Sequence, residues 1–329
     1  LFIQPILAMH HQSALRFHKF SPGGNTTILV TDPVPAPLRA AVAAELMGEH
    51  HVHAEQVGFV TLAGAYPRID MMGGEFCGNA CRSLAALLAL KRVLHVGPGG
   101  LMSGAIASSG VSGTLPVRVV QTPHGPDAAV RMPLPAFAFA SATRPASAEG
   151  AEPHALAGSA EAAVTVPKRA DQDGAAFQLV QPLAEGLELV RLPGIVHLLL
   201  DASVHPFPDD WQAQARVLIA RHGLEDEPAA GCIWHHGPLA APSITPVVRV
   251  RDTDSILLES ACGSGSLAYG LHRAAATGGE TALAVRQPSG ATIRVSVSRR
   301  DGLTPEAWIG GTVRHVASGT AYLYGDQHA

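Results

Sequence analysis

Two of the four cysteines stand in nearly matching surroundings. Cys77 is followed by Gly78-Asn79-Ala80 and an apolar run ending at Lys91 and Arg92. Cys262 is followed by Gly263-Ser264-Gly265 and a second apolar run that stops at Gly278. In each run the apolar residues recur at helical spacing, which places a cysteine at the start of a helix. A helix N-terminus has N–H groups outside its hydrogen-bond ladder and the positive end of the backbone dipole, so it favours thiolate and attracts carboxylate. The small residues after each cysteine let the backbone approach such an anion closely. One such helix end can bind a carboxylate, and two can clamp it. Cys81, one turn after Cys77 on the packed face, and Cys232, between Gly231 and Ile233 in a strand-like run, read as core thiols. A zinc site on Cys77 and Cys81 lacks a second ligand pair at comparable spacing, with only the scattered His50, His51 and His53 nearby, so no metal is expected.

These positions must be held by the elements around them. Phe17–Val30 reads as two strands joined by a Pro-Gly-Gly turn, with Asn25 just past it. Leu38–Met47 then reads as an amphipathic helix, Gln56–Leu62 as a strand, and Val117–Gln121 and Ala129–Met132 as further strands. After an Ala-rich stretch, LELVRLPGIVHLLL again gives strand, Pro-Gly turn and strand, followed by a helix over Trp211–His222 and a strand over Pro246–Val250. Strands continue through Thr292–Val297 and Trp308–Tyr324. The order amounts to a weak internal repeat: turn-bearing strand pair, outer helix, strands, then Cys-Gly opening an apolar helix. Pseudo-symmetry would bring the two thiols face to face.

At 329 residues, with 47% apolar and 15% charged residues, the chain has the length of two α/β-sized domains and the composition of packed cores. That excludes an intrinsically disordered chain and a disulfide-stapled miniprotein. Lys and Arg total 23 against 27 Asp and Glu, a formal charge of -4 with no basic block, so nucleic acid is not an expected partner. The longest apolar run, Leu84–Leu90, is too short to span a bilayer. The N-terminus has no cationic segment ahead of its apolar start, and Met9 reads as a natural start. With cysteines too sparse for a secreted disulfide framework, the expected location is the cytoplasm.

The segments FHKFSPGGN, HAEQVGFV, GGEFCGNACRS, VRMP, ESACGSGS and VRQPSG, in that order, resemble the diaminopimelate epimerase superfamily of cofactor-independent racemases. Within it they are most similar to the histidine racemases that supply D-histidine to opine-type metallophore synthesis. The resemblance covers about Arg16 to Tyr324, apart from the Ala-rich stretch at 136–170, which looks like an insertion. It implies an α/β (α+β) fold of two pseudo-symmetric domains, each a curved barrel-like sheet around a central helix, with the active site in the cleft between them. On that pattern residues 14–134 carry Cys77 and are completed by C-terminal strands at about 316–329, while 135–315 carry Cys262.

The resemblance further implies that Cys77 and Cys262 are the two acid/base residues, swapping roles with reaction direction, and that no cofactor is needed. Asn25 and Asn79 match substrate-contacting asparagines, and Glu259 matches the acid that binds the α-ammonium. Glu55 matches a glutamate of the histidine-racemase-like members that would face the imidazole or orient a thiol. Backbone N–H groups of Gly78, Asn79, Gly263 and Ser264 would take the carboxylate. Two departures bear on the substrate: Ser260 stands where diaminopimelate epimerases carry Arg, and Gly194-Ile195-Val196-His197 where they read GNPH. A substrate with a second carboxylate and ammonium is thereby disfavoured, and His197 reads as structural. The expected partner is a small amino-acid substrate, with a homodimer usual in the family. The alternatives are diaminopimelate epimerase or another amino-acid epimerase on this fold. From a different class come a non-catalytic amino-acid-binding protein and a thiol redox sensor.

Overall fold

A computed structural model of the chain describes residues 13–134, 179–251, 254–277, 280–298 and 306–324. The Ala-rich stretch at 136–170, the start at Met9 and the helix stop at Gly278 lie outside the described residues. The fold is mixed α+β and dominated by sheet. In chain order it runs β1 (Ser13–Pro22), β2 (Thr27–Val30), α1 (Arg39–Met47), β3 (Gln56–Thr61), β4 (Arg68–Met71), α2 (Gly78–Leu90), β5 (His95–Val96), β6 (Met102–Ser108), β7 (Leu115–Thr122) and β8 (Gly125–Met132). Then come β9 (Val180–Ala184), β10 (Leu187–Leu192), β11 (Ile195–Asp201), α3 (Trp211–Arg221), β12 (Ala229–His236), β13 (Ser243–Val250), β14 (Ser255–Leu258), α4 (Gly263–Thr277), β15 (Thr281–Arg286), β16 (Thr292–Ser298) and β17 (Glu306–Leu323). The chain divides into two compact units, Leu1–Arg131 with Gly310–Ala329, and Met132–Ile309. No described helix is long and apolar enough to cross a membrane.

In the first unit the strand pairings close on themselves. β17 pairs with β1, and pairing continues through β2, β3, β4, β6, β7 and β8 back to β17. The two parallel pairs, β2 with β3 and β4 with β6, are those whose connections carry α1 and α2. Parallel neighbours cannot be joined by a tight turn and need such a crossover. Helix α2 packs against β1, β2, β4, β6 and β7, and every residue from Gly78 to Ala89 is buried. Most of its circumference is small or apolar, Gly, Ala and Ser between the leucines, and its buried polar side chains Asn79 and Arg82 are hydrogen-bonded. The helix ends at Leu90, so Lys91 and Arg92 lie past it rather than in its last turn, and Arg92 takes a left-handed φ of 57°. Helix α1 buries only Ala43 and Leu46, which join Ile28, Val30, Val57 and Phe59 in a separate core cluster.

In the second unit β9, β10 and β11 form an antiparallel meander, and β12 lies parallel to β11 across the α3 connection. β13 and β14 follow antiparallel, and β13 touches β15 in parallel across the α4 connection. Helix α4 packs against β9 to β13, β15 and β16. Side chains alternate along β11 and β12. Leu198, Leu200, Cys232 and Trp234 therefore meet Ala215 and Ile219 of α3 in one core cluster, with Cys232 fully buried.

Candidate active site

Cys77 is the N-cap of α2, half-buried, with its sulfur accepting the Ala80 N–H at 3.5 Å. The segment leading into it, Gly73-Gly74-Glu75-Phe76, is pinned from the loop after β6. The Ser109 hydroxyl donates to the Glu75 carbonyl at 2.7 Å and accepts the Met71 N–H at 2.9 Å. Burial raises the Glu75 carboxyl above the usual carboxylate range, against the N–H groups of Glu75 and Gly73 that favour its charge.

Asn25, after the turn that follows β1, and Glu55, at the bend before β3, come together. The Asn25 amide donates to the Glu55 carboxylate at 3.2 Å, and the Thr26 N–H reaches its other oxygen at 3.4 Å. Gln56, the first residue of β3, links this pair to the thiol. Its Nε2 donates to Asn25 Oδ1 and, at 2.7 Å, to Thr27 Oγ1, while its Oε1 accepts from Cys77 Sγ at 3.2 Å. Asn79 is buried in α2, and its Oδ1 accepts from Arg82 at 3.1 Å. Arg82, also fully buried, donates further to the carbonyls of Ala128 at 3.0 Å and Thr312 at 3.5 Å. A buried guanidinium thus holds Asn79 against two strands of the same unit.

In the second unit Cys262 immediately precedes α4 and is buried. Its sulfur accepts the Gly265 N–H at 3.2 Å and lies 3.5 Å from the Ser264 hydroxyl. Gly265 cannot carry a side chain without disturbance, since a Cβ there would stand 2.8 Å from Ile233 Cδ1 and 3.1 Å from the Cys262 sulfur. The Cys262 backbone is anchored by Gln287, whose Oε1 accepts its N–H at 2.9 Å and whose Nε2 donates to Ser266 Oγ at 3.0 Å. Ser266 in turn donates to the Cys262 carbonyl at 2.7 Å.

The helix start was expected to favour thiolate, and at Cys262 the balance goes the other way. Burial raises the thiol well above its ordinary value, and the charge of Glu259, which also accepts a hydrogen bond from the sulfur, raises it further. The Ser264 and Gly265 donors oppose this without reversing it, because desolvating a thiolate costs more than two donors return. Cys81 and Cys232 are fully buried, and burial pushes both thiols up to about 12, which suits core thiols and not bases.

The structure therefore brings Asn25, Glu55 and Cys77 into one network, and Glu259, Ser264 and Cys262 into another. Gln56, Arg82 and Gln287 were not singled out from sequence. The signal for Gln287 was its place in the VRQPSG segment, and Gln56 stood beside Glu55. Among the described residues no group of three or more His, Cys, Asp or Glu side chains is arranged to hold a metal ion.

The family model described as the histidine racemase CntK N-terminal domain matches residues 14–147 and 158–322. The chain belongs to this family. A relative named histidine racemase from Fusobacterium nucleatum subsp. nucleatum is 44% identical over 78 residues, covering 23% of this chain. One of the same name from Staphylococcus aureus is 40% identical over 77 residues, covering 22% of this chain. Each alignment spans only 28% of the relative's length. Among solved structures, a hydroxyproline epimerase from Agrobacterium vitis with bound trans-4-hydroxy-L-proline superposes with a TM-score of 0.59 at 10% identity, covering 95% of this chain and 94% of that one. A phenazine biosynthesis protein of the PhzF family from Bacillus anthracis gives 0.57 at 14% identity, covering 94% and 99%. At such identities the likeness is one of fold.

His197, the last residue of the segment that departs from the diaminopimelate epimerase pattern, is fully buried on β11 opposite Gly231. Neither ring nitrogen has a hydrogen-bond partner among the described residues, and burial holds the imidazole down to about 3. An unfolded histidine titrates near 6.5, so below that pH the unfolded chain takes up a proton that the folded one refuses. Stability is whole above about pH 6.5 and falls as pH drops toward 3, by about 2 kcal/mol at pH 5. Urea midpoints at pH 7 and pH 5 should therefore differ less in His197→Met than in the parent; equal differences would acquit this histidine.

Proposed function

We propose that the protein is a cofactor-independent amino-acid racemase that interconverts L- and D-histidine by proton transfer at Cα, with Cys77 and Cys262 as the acid/base pair. The observation that carries the reading is local and occurs once in each unit. A cysteine opens a buried helix, a helix N–H at the third position holds its sulfur, and a side-chain oxygen accepts its proton, the Gln56 amide carbonyl at Cys77 and the Glu259 carboxylate at Cys262. Family membership supports histidine as substrate, and Ser260 in place of an arginine after Glu259 argues against a side chain ending in carboxylate.

In the proposed reaction one cysteine, as thiolate, removes the Cα proton, and the other, as thiol, protonates the opposite face. The difficulty is the weak acidity of the Cα–H, and charge developing on the substrate carboxylate must be met by donors already in place. The third-position N–H of each helix is used by sulfur, and the N–H groups of Gly78, Asn79, Gly263 and Ser264 would meet that carboxylate. Glu259 would pair with the α-ammonium. The D-histidine formed would enter opine-type metallophore synthesis.

Proton NMR of L-histidine with the protein and a reductant in D₂O, with chiral chromatography of the product, tests the reading. The histidine Cα signal should disappear as D-histidine accumulates, while diaminopimelate, proline and alanine stay unchanged. Because burial and Glu259 favour the protonated Cys262 thiol, kcat/KM should still be climbing above about pH 8.5, the ordinary thiol value. Exchange on another amino acid alone would keep the thiol chemistry and reject histidine. Exchange on none would favour a binding protein.

A further inference from the structure

We propose that Gln56 is a positioning residue that keeps Cys77 protonated, its amide locked in one orientation by the charge of Glu55 acting through Asn25. The inference deepens the racemase reading by assigning the state of one of its two thiols, but the geometry beneath it lies wholly within the first unit.

A carboxylate can only accept hydrogen bonds, so the edge of Asn25 that faces Glu55 must be its NH₂, at 3.2 Å. That turns Asn25 Oδ1 toward Gln56, which must answer with its own NH₂. The same Gln56 nitrogen meets Thr27 Oγ1 at 2.7 Å, and the Thr27 hydroxyl hydrogen is directed to the Asn25 carbonyl at 3.4 Å, so that oxygen is also an acceptor. Two acceptors thus hold one end of the Gln56 amide. Its other end, the carbonyl oxygen, is left 3.2 Å from the Cys77 sulfur.

A thiol satisfies that oxygen by donating to it, whereas a thiolate would set negative charge against an oxygen lone pair. Rotating the Gln56 amide to greet a thiolate would put its oxygen against Asn25 Oδ1 and Thr27 Oγ1. Rotating Asn25 as well would put a carbonyl against the Glu55 carboxylate. The charge on Glu55 therefore reaches Cys77 across three hydrogen bonds in series, with the sense of each fixed by the one before. Of the titratable groups near Cys77, burial keeps Cys81 neutral by pushing it up to about 12 and raises the carboxyl of Glu75, two residues before it, while the Ala80 N–H favours thiolate from the helix side.

The test needs no substrate. Iodoacetamide alkylation of Cys77 in the full chain is followed from pH 6 to 10 by mass spectrometry of its peptide; Cys81, Cys232 and Cys262 are buried. The pH midpoint of the rate reports the thiol's protonation, while a change in accessibility alters only the plateau. Gln56→Ala, which removes the acceptor, and Glu55→Gln, which removes the lock at nearly constant shape, should both lower the midpoint. Each should raise alkylation at pH 7.5 by about three- to tenfold. Gln56→Glu, which keeps the acceptor and adds charge, should move the midpoint up. A midpoint unchanged in Glu55→Gln, or raised in Gln56→Ala, overturns the proposal. A racemase reading that failed by deuterium exchange would leave these midpoints unaffected, so the two failures are distinguishable.

Discussion

Cys77→Ser and Cys262→Ser should each slow the proposed interconversion of L- and D-histidine by about 10³-fold, the scale on which a positioned acid or base contributes. A serine hydroxyl is too weak an acid to supply the oxyanion that would stand in for thiolate. Its oxygen still suits the same donors, Ala80 N–H at position 77 and Gly265 N–H at position 262. The helix starts should therefore persist, and histidine affinity measured by calorimetry should change less than about tenfold. Because two groups acting in one transfer fail together, the double variant should be little slower than either single one. A single variant that racemises at the parent rate would remove its cysteine from the reaction. Parent-like binding with no exchange in any form would instead mark an amino-acid-binding protein.

Gly110→Ala should destabilise the protein by roughly 3 kcal/mol, although the residue lies 33 positions from Cys77 in sequence. Gly110 has a φ of 71°, and a Cβ there would stand 2.3 Å from the Phe76 nitrogen and 2.7 Å from the Glu75 carbonyl carbon. Neither is a flexible side-chain end, so the backbone leading into Cys77 must move. Together with the left-handed strain on alanine, that displacement should lower the melting temperature by roughly 6–12 °C, at about 2–4 °C per kcal/mol for a unit of this size. Circular dichroism melting of the variant measures it, and a shift within about 1 °C would mean that the loop adapts without cost. Alkylation of Cys77 should change in the same variant, since the clash falls on the segment that carries it.

What could be read in advance follows the range of the forces involved. The helices after Cys77 and Cys262 were legible because helix formation is local: spacing, small residues and a start signal all lie within one run. Strand pairs flanking a Pro-Gly turn were legible for the same reason. By contrast β6, with the sequence MSGAIAS, shows no alternation of large apolar and polar residues. It is a strand because β4 pairs it on one side and β7 on the other. Glu55 could be named as a candidate for orienting a thiol, but not the route, because successive side chains of a strand point to opposite faces. The bend at Glu55 just before β3 breaks that alternation and lets both side chains serve Asn25.

The sequence by itself determined that this chain carries two cysteines at the starts of two apolar helices, with small residues after each to admit an anion. Those are properties of neighbours along the backbone, and no partner element is needed to state them. Tertiary structure decided the chemistry of the thiols. Burial of Cys262 beside Glu259 outweighs the helix start and raises its thiol, and Gln56, 21 residues from Cys77, presents a carbonyl to the other sulfur. The reason is physical: desolvation and the direction of a hydrogen bond depend on what fills the space around a side chain, and strand register brings those neighbours from distant parts of the chain.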